Sequence, residues 1–567
     1  MYPKQPRAFR VPAPVDGLQA NCCKNPHCEN FGIPAKVTAV RGKKPADRDG
    51  YSLTGGKSSI TSLTCKVCNT SSAVKSNLGI REEYLRLKAG ACDQVALQCP
   101  DPDCASASSP PRLRPHGKTP SGSQRYRCLV CGITFTPGVR HRTQRRPELD
   151  EFVFRLLVNK MPMRRICETA EIPASTLYSK IHYLADRTRE FSAAMERPLW
   201  ERTLPVKRLY ISSDKQEYVF NWGSQMDRRN VRLNAMGSVD NVSGYALAMH
   251  LNFDPSLDAE EIEALAKAQG DYDQPPPFRQ YARIWLQKDY LLSKEAADVS
   301  SELVELPPAD TKRPPRGVQV KTDYQMFGHF LFLQDLCAHV EKVRFFLDRD
   351  PGLASACLFA HRDRVMDGTV DIFSVSIGKV MTIEQKKTKK SVAERLIRRY
   401  LETHPGLDEG QAKYEILQEM LSPYVETDSL HQEWVKYPFP DMGEPEKVIL
   451  MHTDSTPYDL AHLARLFGTV SLRGVDKFFM QVRRRLSIFE RPIHTSNNQS
   501  RTWHGYSGYN PAVGMQLLTL FRVFYNYALP GEDKRTPAMR LGLAERPFTL
   551  AELLQCGENG TAWPTRG

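Results

Sequence analysis

Eight of the chain's fourteen cysteines fall into one pattern that occurs twice. Cys23-Lys-Asn-Pro-His-Cys28 is followed by Cys65-Lys-Val-Cys68, and Cys99-Pro-Asp-Pro-Asp-Cys104 is followed by Cys128-Leu-Val-Cys131. Each half, C-x4-C then C-x2-C, offers four thiolates, the donor set of a tetrahedral structural Zn²⁺. Gly and Ser precede the second pair in both copies (Gly55, Gly56, Ser58; Gly117, Ser121, Gly122). Together these features read as two zinc ribbons, each with its own structural Zn²⁺. Cys22 is an alternative to Cys23, and His27 a substitute ligand. Modules this small cannot close a core without their metal.

Charge follows the cysteines. The net charge is +13, yet the first 200 residues hold 32 basic and 17 acidic side chains, against 46 and 48 in the remainder. A basic third joined to a near-neutral body is the electrostatic footprint of nucleic-acid binding. No apolar run reaches the length of a membrane span. The opening Met-Tyr-Pro-Lys-Gln-Pro-Arg lacks the apolar core of a signal peptide. A cytoplasmic protein with no membrane partner and no disulfides is therefore expected.

In chain order, residues 1–20 read as a basic arm, 21–90 as the first ribbon and 91–145 as the second, ending in the basic link Arg140–Arg146. Residues 146–200 read as helices. Leu149, Phe152, Leu156 and Leu157 mark one apolar face, and a second helix covers Met163–Glu171. Ile172-Pro173-Ala174 breaks it, and Ser175 caps a third through Tyr178, Ile181 and Leu184. Two helices about a tight turn fit a helix-turn-helix, with Ser175, Thr176, Ser179, Lys180 and Arg187 on the recognition helix available to DNA.

Residues 201–530 read as an α/β core. Lys207–Asp214 is a strand that Asp214 closes. Val231–Val239 and Tyr245–Phe253 complete a meander about a turn of Asp240, Asn241, Ser243 and Gly244. After an insertion over about 254–320 come a helix near Phe327–Glu341, a strand ending at Asp348, and another over Val370–Ile377. Alternation puts Asp350 on the face of Asp348, as its rival. A second insertion covers about 385–445: a helical stretch near Ser391–Tyr424, preceded by Lys386-Lys387-Thr-Lys389-Lys390. From Gly474 a helix buries Val475, Phe479, Val482, Leu486 and Phe489, with Asp476, Met480, Arg483 and Ser487 on the neighbouring face. An acid on the first strand, an acid after a later strand and an acid on a helix is the order of an RNase H-like core. There Asp214, Asp348 and Asp476 would hold two Mg²⁺ ions for in-line displacement at phosphorus.

Three stretches carry a family resemblance. Gly122-Ser-Gln-Arg-Tyr-Arg-Cys-Leu-Val-Cys-Gly-Ile-Thr-Phe135 resembles the ribbon signature G-x-x-R-Y-x-C-x-x-C-G-x-T-F. Val475–Arg491 resembles the helix that carries a last acid and a row of arginines, here including Arg483 and Arg484. Tyr525-Asn526-Tyr527, then Thr536-Pro-Ala, resembles a C-terminal tail, here 531–567, in which a Y-N pair precedes T-P-A. The chain thus resembles bacterial insertion-sequence transposases of the DDE class. The resemblance implies Mg²⁺-dependent cleavage and transfer of DNA strands, and binding to element ends and target duplex. It also implies multimers on the DNA and a nucleoid-associated location. The family's last acid is usually Glu; here it is Asp476. An inactive or domesticated DNA-binding regulator is the alternative.

Overall fold

The computed structural model describes residues 9–38, 49–54, 61–92, 101, 104, 113–118, 124–135, 146–221, 230–295, 313–378, 380–490, 493–494, 502–503 and 508–554. The chain is a multidomain α/β protein. β1 (Tyr51–Thr54), β2 (Ser62–Cys65) and β3 (Ser71–Ala73) form an antiparallel sheet, followed by α1 (Asn77–Cys92). β4 (Leu113–Lys118), β5 (Gln124–Cys128) and β6 (Thr134–Phe135) form a second. Each small sheet packs around its cysteines, the first with Val11, Tyr51, Leu63 and Val74, the second, among the described residues, with Leu113. Neither cluster approaches the size of an independent core.

Three helices follow: α2 (Asp150–Leu157), α3 (Met163–Ala170) and α4 (Ala174–Met195). Glu171 takes the left-handed conformation between the last two, at φ 50°. α4 begins at Ala174 behind Pro173, with no side-chain cap, so Ser175 lies inside the first turn rather than capping it. The buried face of α2 is Val153, Phe154 and Leu157, while Phe152 is 40 % exposed. That face is turned from the expected one because the helix packs on the body as well as on its neighbours. α5 (Arg197–Trp200) leads into the main sheet.

The main sheet takes its strands in sequence from β7 (Arg208–Phe220), β8 (Val231–Asp240) and β9 (Ala246–Leu251). β10 (Phe253–Asp254), α6 (Ala259–Ala268), α7 (Gln287–Glu295) and β11 (Val318–Gln319) make up the first insertion, packed around Ile262, Ala266 and Ile284. Then come α8 (Thr322–Leu336), β12 (Lys342–Asp348), α9 (Pro351–Ala360), α10 (Arg362–Met366) and β13 (Val370–Ile377). The second insertion is a helical hairpin, α11 (Ile383–Thr403) and α12 (Glu409–Glu426), closed by β14 (Val435–Lys436) and β15 (Lys447–Met451). α13 (Leu460–Thr469), α14 (Arg473–Arg485), the short pair β16 (Ile493–His494) and β17 (Thr502–Trp503), α15 (Pro511–Val523), α16 (Pro537–Leu541) and α17 (Leu550–Leu554) complete the order.

The seven strands lie in the order β14-β15-β13-β12-β7-β8-β9. β7 and β8 are antiparallel, whereas β12 runs parallel to β7 and β13 parallel to β12, with helices as the crossovers. β7 does not end at Asp214. It continues to Phe220, because β8 pairs with it residue for residue through Phe220↔Val231 after β12 has stopped. Asp214 therefore sits in mid-strand, where β7 loses its neighbour on one side.

α14 lies along the face of Asp214. Asp214 pairs with Gly237, and a Cβ on Gly237 would lie 2.8 Å from the Phe479 ring. Only glycine lets the helix come so close. Gly237→Val forces α14 outward and lowers stability by about 1–3 kcal/mol, read as a fall in Tm; an unchanged Tm would show that the helix is not seated there.

Both edges of the sheet are limited. β14 has two residues. Along β9, Asn526 exchanges two hydrogen bonds with Ala246, accepting from its N–H at 2.9 Å and donating to its carbonyl at 3.0 Å. Arg522 donates to the carbonyls of Ala246 and Leu247, and Arg86 to those of Leu251 and Phe253. Asn526 and Tyr527 thus form a structural clasp: Asn526 takes the place of a neighbouring strand, and the Tyr527 hydroxyl meets that of Tyr245 at 2.9 Å.

Candidate functional site

The first cysteine group is Cys23, Cys28, Cys65 and Cys68, with all four sulfurs within 4.8 Å of one another. Cys23 Sγ lies 3.5 Å from Cys68 Sγ, and Cys28 Sγ 3.7 Å from Cys65 Sγ. Four thiolates at 2.3 Å from one Zn²⁺ would stand about 3.8 Å apart, so the group fits that ion. Backbone amides of Asn25 and Asn30 donate to Cys23 and Cys28 at 3.5 and 3.4 Å, and the Asn30 side-chain amide donates to Cys65 at 3.4 Å. Such donors orient and stabilise thiolates. Burial pushes the Cys23 and Cys28 thiols up. At Cys68 burial also opposes ionisation, but hydrogen bonds with Thr70 outweigh it and bring the thiol down to about 6. Cys22 points elsewhere, its Sγ 3.9 Å from the Ala20 carbonyl. His27 is no ligand either; it stacks on His431 at 3.8 Å and reaches the His452 carbonyl at 3.1 Å.

The second group is Cys104, Cys128 and Cys131, with Cys104 and Cys128 sulfurs 3.8 Å apart. Cys99, the fourth expected ligand, lies outside the described residues, as do Arg140–Arg145 of the basic link. Three thiolates in this spacing also suit Zn²⁺.

The first cysteine module is anchored to the body. Lys75 pairs with Asp323, and Lys88 with Asp335 at 2.6 Å. Arg283 of the first insertion holds Glu82, Glu83 and Asp254 at 3.0, 3.3 and 3.2 Å.

Two of the three acidic residues lie on neighbouring strands of the main sheet. The last register pair of β12 and β7 is Leu347 with Ser213, so Asp348 and Asp214 each stand one residue past the end of that parallel ladder. The row extends on both sides: Val435, Ile449, Val375 and Asp348 on one, Asp214, Gly237 and Met249 on the other. α14 brings Asp476 to the same face. The Ser212 hydroxyl accepts from the Val475 N–H at 3.0 Å, and Asn241 Oδ1 accepts from the Gly474 N–H at 3.1 Å. Two orphan donors of the helix start are thereby satisfied by β7 and by the turn between β8 and β9. Asp476 follows directly on Val475 and is half-buried; Asp214 is buried. Among the described residues only the two cysteine groups bring three or more metal-ligating side chains within 4.8 Å, so the three carboxylates do not form one closed cage.

Asp350 has other work. Its Oδ1 caps α9, accepting from the Gly352 N–H at 2.7 Å, and its Oδ2 pairs with Lys215 at 2.6 Å. The sequence carried no signal for a buried chain behind Asp214. There Ser213 Oγ meets Ser238 Oγ at 2.6 Å, Ser238 Oγ meets His329 Nε2 at 2.8 Å, and His329 Nδ1 meets His250 Nδ1 at 2.9 Å. Burial brings His329 down to about 3, so it is neutral at pH 7. This chain ties β7, β8, β9 and α8 together on the face opposite Asp214.

The expected DNA-contact residues divide. Ser175 and Ser179 are exposed and Thr176 half-buried on α4, beside exposed Tyr178. Lys180 is not available: it is 2 % exposed, and its ammonium donates to Asp150 at 2.6 Å and the Arg146 carbonyl at 2.8 Å. Arg187 is drawn inward as well, to Glu190 at 2.7 Å and the Leu554 carbonyl at 3.2 Å. On α14, Arg484 is exposed, Arg483 half-buried near Tyr218, and Arg485 reaches Asn159. Lys180→Met strands the Asp150 carboxylate and destabilises the fold by about 3–5 kcal/mol. Denaturant unfolding measures it, and a loss below about 1 kcal/mol would show the pair to be solvated.

No family model matches this chain, and no curated protein matches it. No helix among the described residues is long and apolar enough to cross a membrane.

Proposed function

We propose that the chain is a DNA transposase of the DDE class, with an RNase H-like core that cuts and joins DNA strands. The observation that carries the reading is the register row: two aspartates on adjacent parallel strands, beneath a helix that bears a third. The sheet order, a three-stranded meander with parallel strands added beside its first member, supports it. The donors suit Mg²⁺, a hard cation that takes one or two carboxylates together with substrate phosphate oxygens rather than a closed protein cage. Asp214 and Asp348 would hold it, with Asp476 to one side. When bound, Mg²⁺ supplies activation of the attacking hydroxyl and stabilisation of the leaving oxygen. The chain's own part is placement. The buried strands fix the two carboxylates, α14 shields their face, and Arg483 and Arg484 lie further along that helix toward the DNA backbone.

In this reading the two cysteine modules are zinc ribbons and α2–α4 a helix-turn-helix. Together they bind duplex element ends through Ser175, Thr176, Tyr178 and Ser179, and multimers form on the DNA in the bacterial nucleoid. A DNA-binding regulator that does not cut is the second reading. Asp476 favours it, one methylene shorter than the Glu that the resemblance expects. Purified full-length protein, incubated with DNA flanking its own gene, decides between them: Mg²⁺-dependent nicking at element ends supports the transposase, and binding without nicking supports the regulator.

A further inference from the structure

We propose that the outer face of α11 is a docking surface for the sugar-phosphate backbone of duplex DNA; this rests on the reading of the chain as a DNA-processing enzyme. α11 carries seven basic and three acidic residues, and its partner α12 four acidic and one basic. The two helices pack through Ile397, Ala412 and Ile416. Opposite charges on adjacent helices would normally zip together, yet no ion pair joins α11 to α12 among the described residues. Lys389 turns to Glu446 at 2.7 Å and Lys390 to Glu394 of its own helix at 3.4 Å. Glu415 and Glu419 of α12 accept instead from the Tyr400 hydroxyl, at 3.2 and 2.8 Å.

Four cations are left facing solvent. Lys387, Arg395, Arg398 and Arg399 are exposed and form no ion pair among the described residues. At the helical repeat they share the side away from buried Ala393 and Ile397. Lys387 and Arg399 stand roughly 18 Å apart along the axis, enough to cross a major groove about 12 Å wide. Three of the four are arginines, whose forked donors suit phosphate oxygens. The hairpin also springs from β13, whose Val375 adjoins Asp348 in the register row. The exposed apolar residues of α11, Ile383, Val392 and Leu396, are too few for a dry protein interface.

The test is the salt dependence of binding by the full chain to a duplex of arbitrary sequence. Each phosphate contact contributes about 0.9 to the slope of log affinity against log salt, so K387Q/R395Q/R398Q/R399Q should lower the slope by about 3 to 4. K413Q on α12 should leave it unchanged. The quadruple variant keeps its fold, checked by an unaltered Tm. A parental slope in the folded variant overturns this inference alone. A parent chain that shows no salt-dependent binding overturns the reading beneath it. An unchanged slope with a shift from dimer to monomer in sedimentation assigns the face to a second copy and likewise overturns the proposal.

Discussion

Asp214→Asn leaves DNA affinity unchanged and lowers Mg²⁺-dependent cleavage by about a thousandfold or more. The change is isosteric, so the packing of Phe479 over Gly237 beside it is preserved. What is lost is the charge that holds a hard cation, and several kcal/mol of transition-state stabilisation correspond to that factor. Asp348→Asn behaves in the same way. Asp350→Asn does not, because its carboxylate caps α9 and pairs with Lys215; it costs about 1 kcal/mol of stability and spares the chemistry. At the third position Asp476→Asn abolishes cleavage, whereas Asp476→Glu retains it, since the longer acid reaches further from the same helix turn. A gel assay of strand cleavage with each purified variant reads all five. An Asp214→Asn protein that cuts at the parental rate would sink the two-metal reading.

The second large effect is expected from metal. The full chain holds about two Zn²⁺, and Cys65→Ser lowers the content to about one while unfolding the first module. Zinc binding at such sites is worth on the order of 10 kcal/mol, far more than the buried cluster of Val11, Tyr51, Leu63 and Val74 supplies. The damage should spread. α1 follows this module and lies on α8, held by Lys75–Asp323 and Lys88–Asp335. Loss of the metal therefore exposes α1 to protease and lowers the Tm of the whole chain. Elemental analysis and limited proteolysis, with and without chelator, measure both. Fewer than about two zinc ions in the parent, or a Tm indifferent to chelation, would count against the assignment.

The elements that carry Asp348 and Asp476 are legible from residue order alone, because their determinants are local. The strand of Asp348 shows as an apolar run ended by Pro and Gly, and the helix of Asp476 as a stripe of buried residues. The continuation of β7 past Asp214 is not legible. Lys215, Gln216 and Glu217 look like a loop, yet β8 alone is enough to keep them in a strand. Lys180 misleads for the opposite reason. A lysine at an outward-looking helix position reads as solvated, and nothing nearby announces Asp150, which lies thirty residues upstream and is brought to it by tertiary packing. The fifteen-residue run from Val475 to Phe489 is read as one helix but divides at Leu486, after which a short 3-10 turn seats Phe489 on Tyr218 at 4.4 Å. The Ser213–Ser238–His329–His250 chain draws one residue from each of four elements, so no linear pattern marks it.

The clasped margin of the main sheet bears on how copies of this protein can meet. A bare strand invites another molecule to add its own, and repeated addition builds fibres. Along β9 the invitation is withdrawn: side chains of Arg86, Arg522 and Asn526 already occupy the carbonyls that a newcomer would need. The opposite margin, β14, is too short to serve as a template. Among the described residues, copies of this chain have no edge of the main sheet to share, so any meeting between them rests on other contacts, ones that can be undone.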